Sequence, residues 1–152
     1  MPSFQDFYFQ SSTGRTSIHA LKCVPDGKPR AVVQIAHGIA EHIDRYRPFM
    51  EFLADNGFVA AGNDHLGHGK SIRVPFAEKD GWWRVVDDMD KLHDIMSKEY
   101  PELPYVLFGH SMGSFLTRTY LIKHPDKYDG VILSGTGHQS PALVLGGNAA
   151  AS

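Results

Sequence analysis

The chain has 152 residues, 42% of them hydrophobic and 21% charged, which is the balance of one globular domain and not of a disordered, collagen-like or coiled-coil chain. Fifteen Lys and Arg against seventeen Asp and Glu leave a net charge of −2, which excludes the basic footprint that a nucleic-acid partner requires. The single cysteine, Cys23, excludes an intramolecular disulfide, no run approaches the roughly 18 apolar residues of a membrane span, and the first ten residues lack the basic start and apolar run of a signal peptide. The expectation is therefore a reduced, cytoplasmic domain without a stable membrane span.

Along the chain, residues 4–9 and 17–24 are aromatic and β-branched runs on either side of the turn-like Ser11–Arg15, which predicts an antiparallel hairpin. A second turn, Pro25–Pro29, leads into Ala31–Ala36, an almost wholly apolar run that predicts a strand buried on both faces. Tyr46, Phe49, Met50 and Leu53 fall at i, i+3, i+4 and i+7 and predict an amphipathic helix over 45–55, with Asp44 as its N-cap and Asn56-Gly57 as its stop. A short buried strand at 58–61 precedes the glycine-rich loop 63–71. Val85, Met89, Leu92 and Met96 mark a helix from about 83 to 99, ended by Pro101. Then come a strand at 105–108, a helix at 112–123 and a buried strand at 131–134. Buried strands alternating with helices specify an α/β fold: a mainly parallel sheet with helices on both faces. Residues 137–152 change character, with no charged residue and no further strand or helix signal, so the sequence divides at 136.

Gly109-His110-Ser111-Met112-Gly113 has the form G-x-S-x-G, directly after an apolar strand and at the opening of an amphipathic helix. A strand that turns sharply into a helix puts the serine into strained dihedrals and crowds the residues two before and two after it. Gly109 and Gly113 remove the side chains that would clash there. The hydroxyl then stands at the carboxyl edge of the sheet, where a helix N-terminus favours negative charge developing on a substrate oxygen. The loop His37-Gly38-Ile39-Ala40-Glu41-His42 follows the first buried strand, and in this topology it lies beside the elbow. Ile39 and Met112 are the expected oxyanion donors through their main-chain nitrogens, with His37 and Gly38 shaping the loop, while Glu41, His42 and Arg45 either steady it as a polar network or simply face solvent. Asp64, His65 and His68 invite a metal reading, but three or four ligands with supporting partners are not evident, so no metal is expected. The run Gly67-x-Gly69-Lys70-Ser71 lacks the first glycine of a phosphate loop, since position 64 is Asp, and no cofactor is expected.

Three segments, His37–Tyr46, Asp64–Ser71 and Gly109–Gly113, together resemble the monoglyceride lipase and lysophospholipase branch of the α/β-hydrolase superfamily, often described as the serine aminopeptidase domain. The resemblance covers residues 30–135. It implies the N-terminal part of an α/β-hydrolase fold over 1–136, the truncated start of a cap over 137–152, and cap and C-terminal strands lying outside the chain. It further implies Ser111 as the nucleophile, Ile39 and Met112 as the oxyanion hole, His110 as part of the elbow, and an acyl ester or lipid as substrate. The family places its acid and its histidine after the nucleophile. Here Ser111 is followed only by Asp126, Asp129, His124 and His138. His124 lies about 20 Å along the next helix, and His138 has no acid after it, so the chain is expected to be nearly inactive by itself. An aminopeptidase on the same fold and a non-catalytic binding module are the alternatives.

Overall fold

The computed structural model describes residues 1–71, 74–75 and 80–137. The hairpin forms from β1 (Ser3–Gln10) and β2 (Ser17–Val24), with Ser3 opposite Val24 and Gln10 opposite Ser17. The strands β3 (Ala31–Ala36), β4 (Phe58–Asn63), β5 (Tyr105–His110) and β6 (Gly130–Ser134) complete a six-stranded sheet in the order β1-β2-β4-β3-β5-β6. β3 to β6 are parallel, and β2 joins them antiparallel to β4.

Strand alternation divides the core in two. On one face Ile18, Val32, Val59 and Leu107 pack under α2 (Gly81–Glu99) and α3 (Met112–Lys123), meeting Met89, Leu92, Leu116 and Tyr120. On the other face Leu21, Ile35 and Ala60 pack under α1 (Arg47–Asp55), meeting Met50 and Ala54. Helices on both faces explain why β3 is buried at all six positions. Gln34 is a polar group inside this core. Its amide donates to the Met89 carbonyl at 3.0 Å and its oxygen accepts from the Tyr105 hydroxyl, so both ends are satisfied. Among the described residues, no helix is long and apolar enough to cross a membrane.

Two expectations change. The single helix expected over 45–55 is a 3₁₀ turn at Ile43–Tyr46 followed by α1, and Asp44 lies inside that turn instead of capping it. The reason is Pro48: it has no N–H to give the Asp44 carbonyl, which instead accepts the Arg47 N–H, so the α-helical pattern starts only there. The strand at 131–134 is the sheet's last described strand and is not fully buried, with Ile132 51% exposed. The remaining elements match, with β4 and β5 two residues longer than expected and α2 starting two residues earlier. Most of the segment 137–152 proposed as a separate region, His138 included, lies outside the described residues.

Candidate active site

The chain leaves β3 toward β4 on one side, and β5 returns on the other side of β3. The connections at the carboxyl ends of β3 and β5 therefore diverge, which opens a crevice between two adjacent strands. Ala36 and Gly109 pair across that junction, so residues 37–39 and 110–111 emerge side by side.

Ser111 is the single residue between β5 and α3. Its φ of 55° and ψ of −120° are unfavourable for a residue with a side chain. Its N–H donates to the Ser134 carbonyl at 2.9 Å, while its own carbonyl accepts from the Ser114 N–H and hydroxyl at 2.9 and 2.6 Å. These bonds hold the bend. The glycines on either side are there for contact distance. A Cβ on Gly109 would stand 2.4 Å from the Gly113 carbonyl oxygen, and one on Gly113 would stand 2.0 Å from that of Ala36. Helix α3 thus lies directly against the end of β3. Met112 opens α3, so its N–H has no acceptor within the helix.

The facing loop comes equally close. A Cβ on Gly38 would stand 3.2 Å from the Ser111 Cβ and 2.7 Å from a Glu41 carboxylate oxygen. That carboxylate accepts the Gly38 N–H at 2.8 Å and the Tyr46 hydroxyl at 3.0 Å. Burial pushes the Glu41 pKa up, but these two donors together with the nearby His110 and His37 more than offset it and hold the carboxyl below its usual range. The loop network therefore runs through Glu41 and Tyr46. Arg45 reaches the carboxylate at 4.0 Å, and His42 stands at the start of the 3₁₀ turn with no side-chain cap bond. The Ile39 side chain is 63% exposed, and between Gly38 and Glu41 its N–H makes no hydrogen bond among the described residues.

His37 is fully buried, as a histidine that shapes the loop should be. The His65 N–H donates to His37 Nε2 at 3.0 Å, so the proton sits on Nδ1 and is donated to the Gly38 carbonyl at 2.7 Å. Burial lowers the His37 pKa to about 4, with the hydrogen bond to Gly38 opposing it only in part, so the ring is neutral. His65 in turn donates from Nε2 to the His37 carbonyl at 3.0 Å, and its pKa too is pushed well below the usual value by burial. His110, on the other side of the elbow, hydrogen-bonds the Ser134 hydroxyl at 3.1 Å. Beside it a groove of about 340 Å³ is lined by Glu41, Arg45, Tyr46, Phe49, Phe108 and His110.

The described acids and histidines that follow Ser111 in the chain do not approach it. His124 caps the C-terminus of α3, a 12-residue helix, and so stands about 18 Å away along its axis, near Asp87 and Asp90. Asp129 accepts the Tyr105 N–H where β5 begins, at the opposite edge of the sheet. Asp64 is held by main-chain and His19 donors, so its carboxylate serves the loop. Among the described residues, Asp90, His93 and Asp94 come within 4.8 Å of one another in a group that could hold a metal ion. The Lys127 ammonium lies there already, at 2.9 and 3.3 Å from the two carboxylates.

Ser134 was not foreseen from sequence. Its carbonyl and hydroxyl hold both Ser111 and His110, and a serine at the end of a buried strand carries no motif that would reveal this.

Residues 27–151 match the family model described as serine aminopeptidase, S33. The chain is 36% identical over 113 residues to a monoacylglycerol lipase of Mycolicibacterium smegmatis, covering 73% of this chain and 39% of that one. It is 33% identical over 109 residues to the monoglyceride lipase of Homo sapiens, covering 72% and 36%. Among solved structures, a thermostable carboxyl esterase from Bacillus coagulans superimposes with a TM-score of 0.83 at 35% identity, covering 94% of this chain and 47% of that one. The chain spans about two-fifths of the length of the curated relatives it matches. Sheet order, strand-to-helix elbow and these likenesses agree, and the chain belongs to the α/β-hydrolase superfamily, in the serine aminopeptidase (S33) family and on its monoglyceride lipase branch.

Proposed function

We propose that this chain carries the nucleophile and oxyanion hole of a serine hydrolase of carboxylic esters, acting on monoacylglycerol or lysophospholipid. One observation carries the reading: Ser111 is held in a strained conformation at the start of α3, in the crevice between β3 and β5, against Gly38. In this mechanism the Ser111 Oγ attacks the ester carbonyl. The oxygen that becomes negative is taken by the main-chain N–H groups of Ile39 and Met112, and the N-terminus of α3 adds a favourable field. The tetrahedral intermediate then expels the alcohol and leaves an acyl-enzyme, which water hydrolyses. In the family order Ser…Asp…His the serine proton passes to a histidine base held by an acid, and none of the described acids or histidines after Ser111 reaches it. Without that base the hydroxyl keeps its proton and is a poor nucleophile, so residues 1–152 alone turn over esters poorly.

The names of the relatives support an acyl ester as substrate. The test is Ser111→Ala in the full-length protein, which should lower turnover of a p-nitrophenyl ester by at least about a thousandfold. Unchanged turnover refutes the proposal. The matched family's description as an aminopeptidase favours a second reading, cleavage of an N-terminal amino acid on the same site. Rates on an acyl ester and on an aminoacyl naphthylamide, measured side by side, separate the two, and the first is expected to be the faster.

A further inference from the structure

The loop 37–43 carries Ile39, and its two ends are held by adjacent residues of one other segment. At the first end, the His65 main-chain N–H donates to His37 Nε2 and the His65 Nε2–H donates to the His37 carbonyl, both at 3.0 Å, with the rings 3.9 Å apart. At the far end, the Ile43 N–H donates to Asp64 Oδ1 at 2.8 Å. Asp64 and His65 directly follow β4, and both are buried.

The segment is itself anchored. Asp64 Oδ2 accepts the Lys70 N–H at 3.0 Å and a His19 Nδ1–H at 2.7 Å, and the opposite nitrogen of His19 lies 2.9 Å from Asp6 in β1. Gly69, at φ +51°, lies so near that a Cβ would stand 2.5 Å from the Asp64 carboxyl carbon. A buried carboxylate persists only where donors of this kind replace its water. The carboxylate is therefore a fixed point, and the loop hangs from it. Neither Asp64 nor His65 lines the groove beside Ser111.

We infer that Asp64 and His65 are positioning residues, a clamp on both ends of the 37–43 loop that sets the Ile39 N–H against Ser111. The inference rests on the reading of Ser111 and Ile39 given above. In the full-length protein, His65→Phe keeps a ring against His37 and removes the N–H given to its carbonyl, whereas His65→Gln supplies an amide donor in its place. His65→Phe should lower kcat on the p-nitrophenyl ester about ten- to a hundredfold with KM within about twofold, and His65→Gln should recover most of that loss. Amide hydrogen exchange across 37–43 should quicken in His65→Phe while β3 and β5 keep their protection. Where His65→Phe does not fold, Asp64→Asn takes its place, since it removes the charge that holds His19 and Lys70. Unchanged exchange in a folded variant overturns the clamp, and faster exchange with unchanged kcat overturns the positioning role. Full turnover by Ser111→Ala overturns the catalytic reading underneath, and exchange across 37–43 then still decides whether the clamp exists.

Discussion

His37 shows how one buried residue couples the site to solvent pH. Its ring accepts from the His65 N–H and donates to the Gly38 carbonyl, an arrangement that needs the neutral form. Burial lowers its pKa from 6.5 to about 4, so in acid the unfolded chain binds a proton that the folded chain refuses. The stability it contributes is fully present above pH 6.5 and is lost as pH falls through about 4. Thermal melting between pH 7 and 4 should show a midpoint that drops on acidification, and His37→Gln should flatten that dependence over the same interval. His37 was legible in the sequence as a loop-shaping core histidine because it follows a buried strand and precedes a glycine. Its tautomer was not, because that depends on an N–H from residue 65.

At the scale of elements, the junction of β3, β5 and α3 decides the geometry of the site. Gly113 lets α3 approach until its backbone nearly touches the end of β3, and no side chain stands between them. Gly113→Ala places a methyl group 2.0 Å from the Ala36 carbonyl oxygen, and neither partner is a flexible side-chain end. The cost should be about 1–3 kcal/mol of stability, measured by the denaturant midpoint. Gly27→Ala, with nothing within 4 Å of the added carbon, should change stability by less than about 0.5 kcal/mol. The elbow was foreseen from G-x-S-x-G because the steric argument is local. The start of α1 was not foreseen, since a periodic apolar pattern continues through a 3₁₀ turn and Pro48 alone marks the break.

For the whole molecule, one uncovered feature is the last described strand. β6 pairs with β5 on one side and, among the described residues, with nothing on the other, and Ile132 stands half exposed on it. Phe49 and Phe108, packed against the α1-side core, also line the groove beside His110. An open strand edge next to apolar surface invites association. The 1–152 polypeptide should therefore sediment as associated species at micromolar concentration, and Ile132→Lys should shift it toward monomer. Sedimentation velocity that shows a monomer with Ile132 intact contradicts this.

Local chemistry determined a good deal on its own. Apolar runs and periodicity gave strands and helices, and two glycines around a serine gave a sharp turn, because each of these depends on neighbours in sequence. Tertiary structure alone decided the rest. Ser134 reaches Ser111 across 23 residues, and Asp64 and His65 grip both ends of a loop more than 20 residues before them. Such contacts arise where the sheet brings distant segments to one edge, and a buried polar group takes whichever donor that packing leaves within reach.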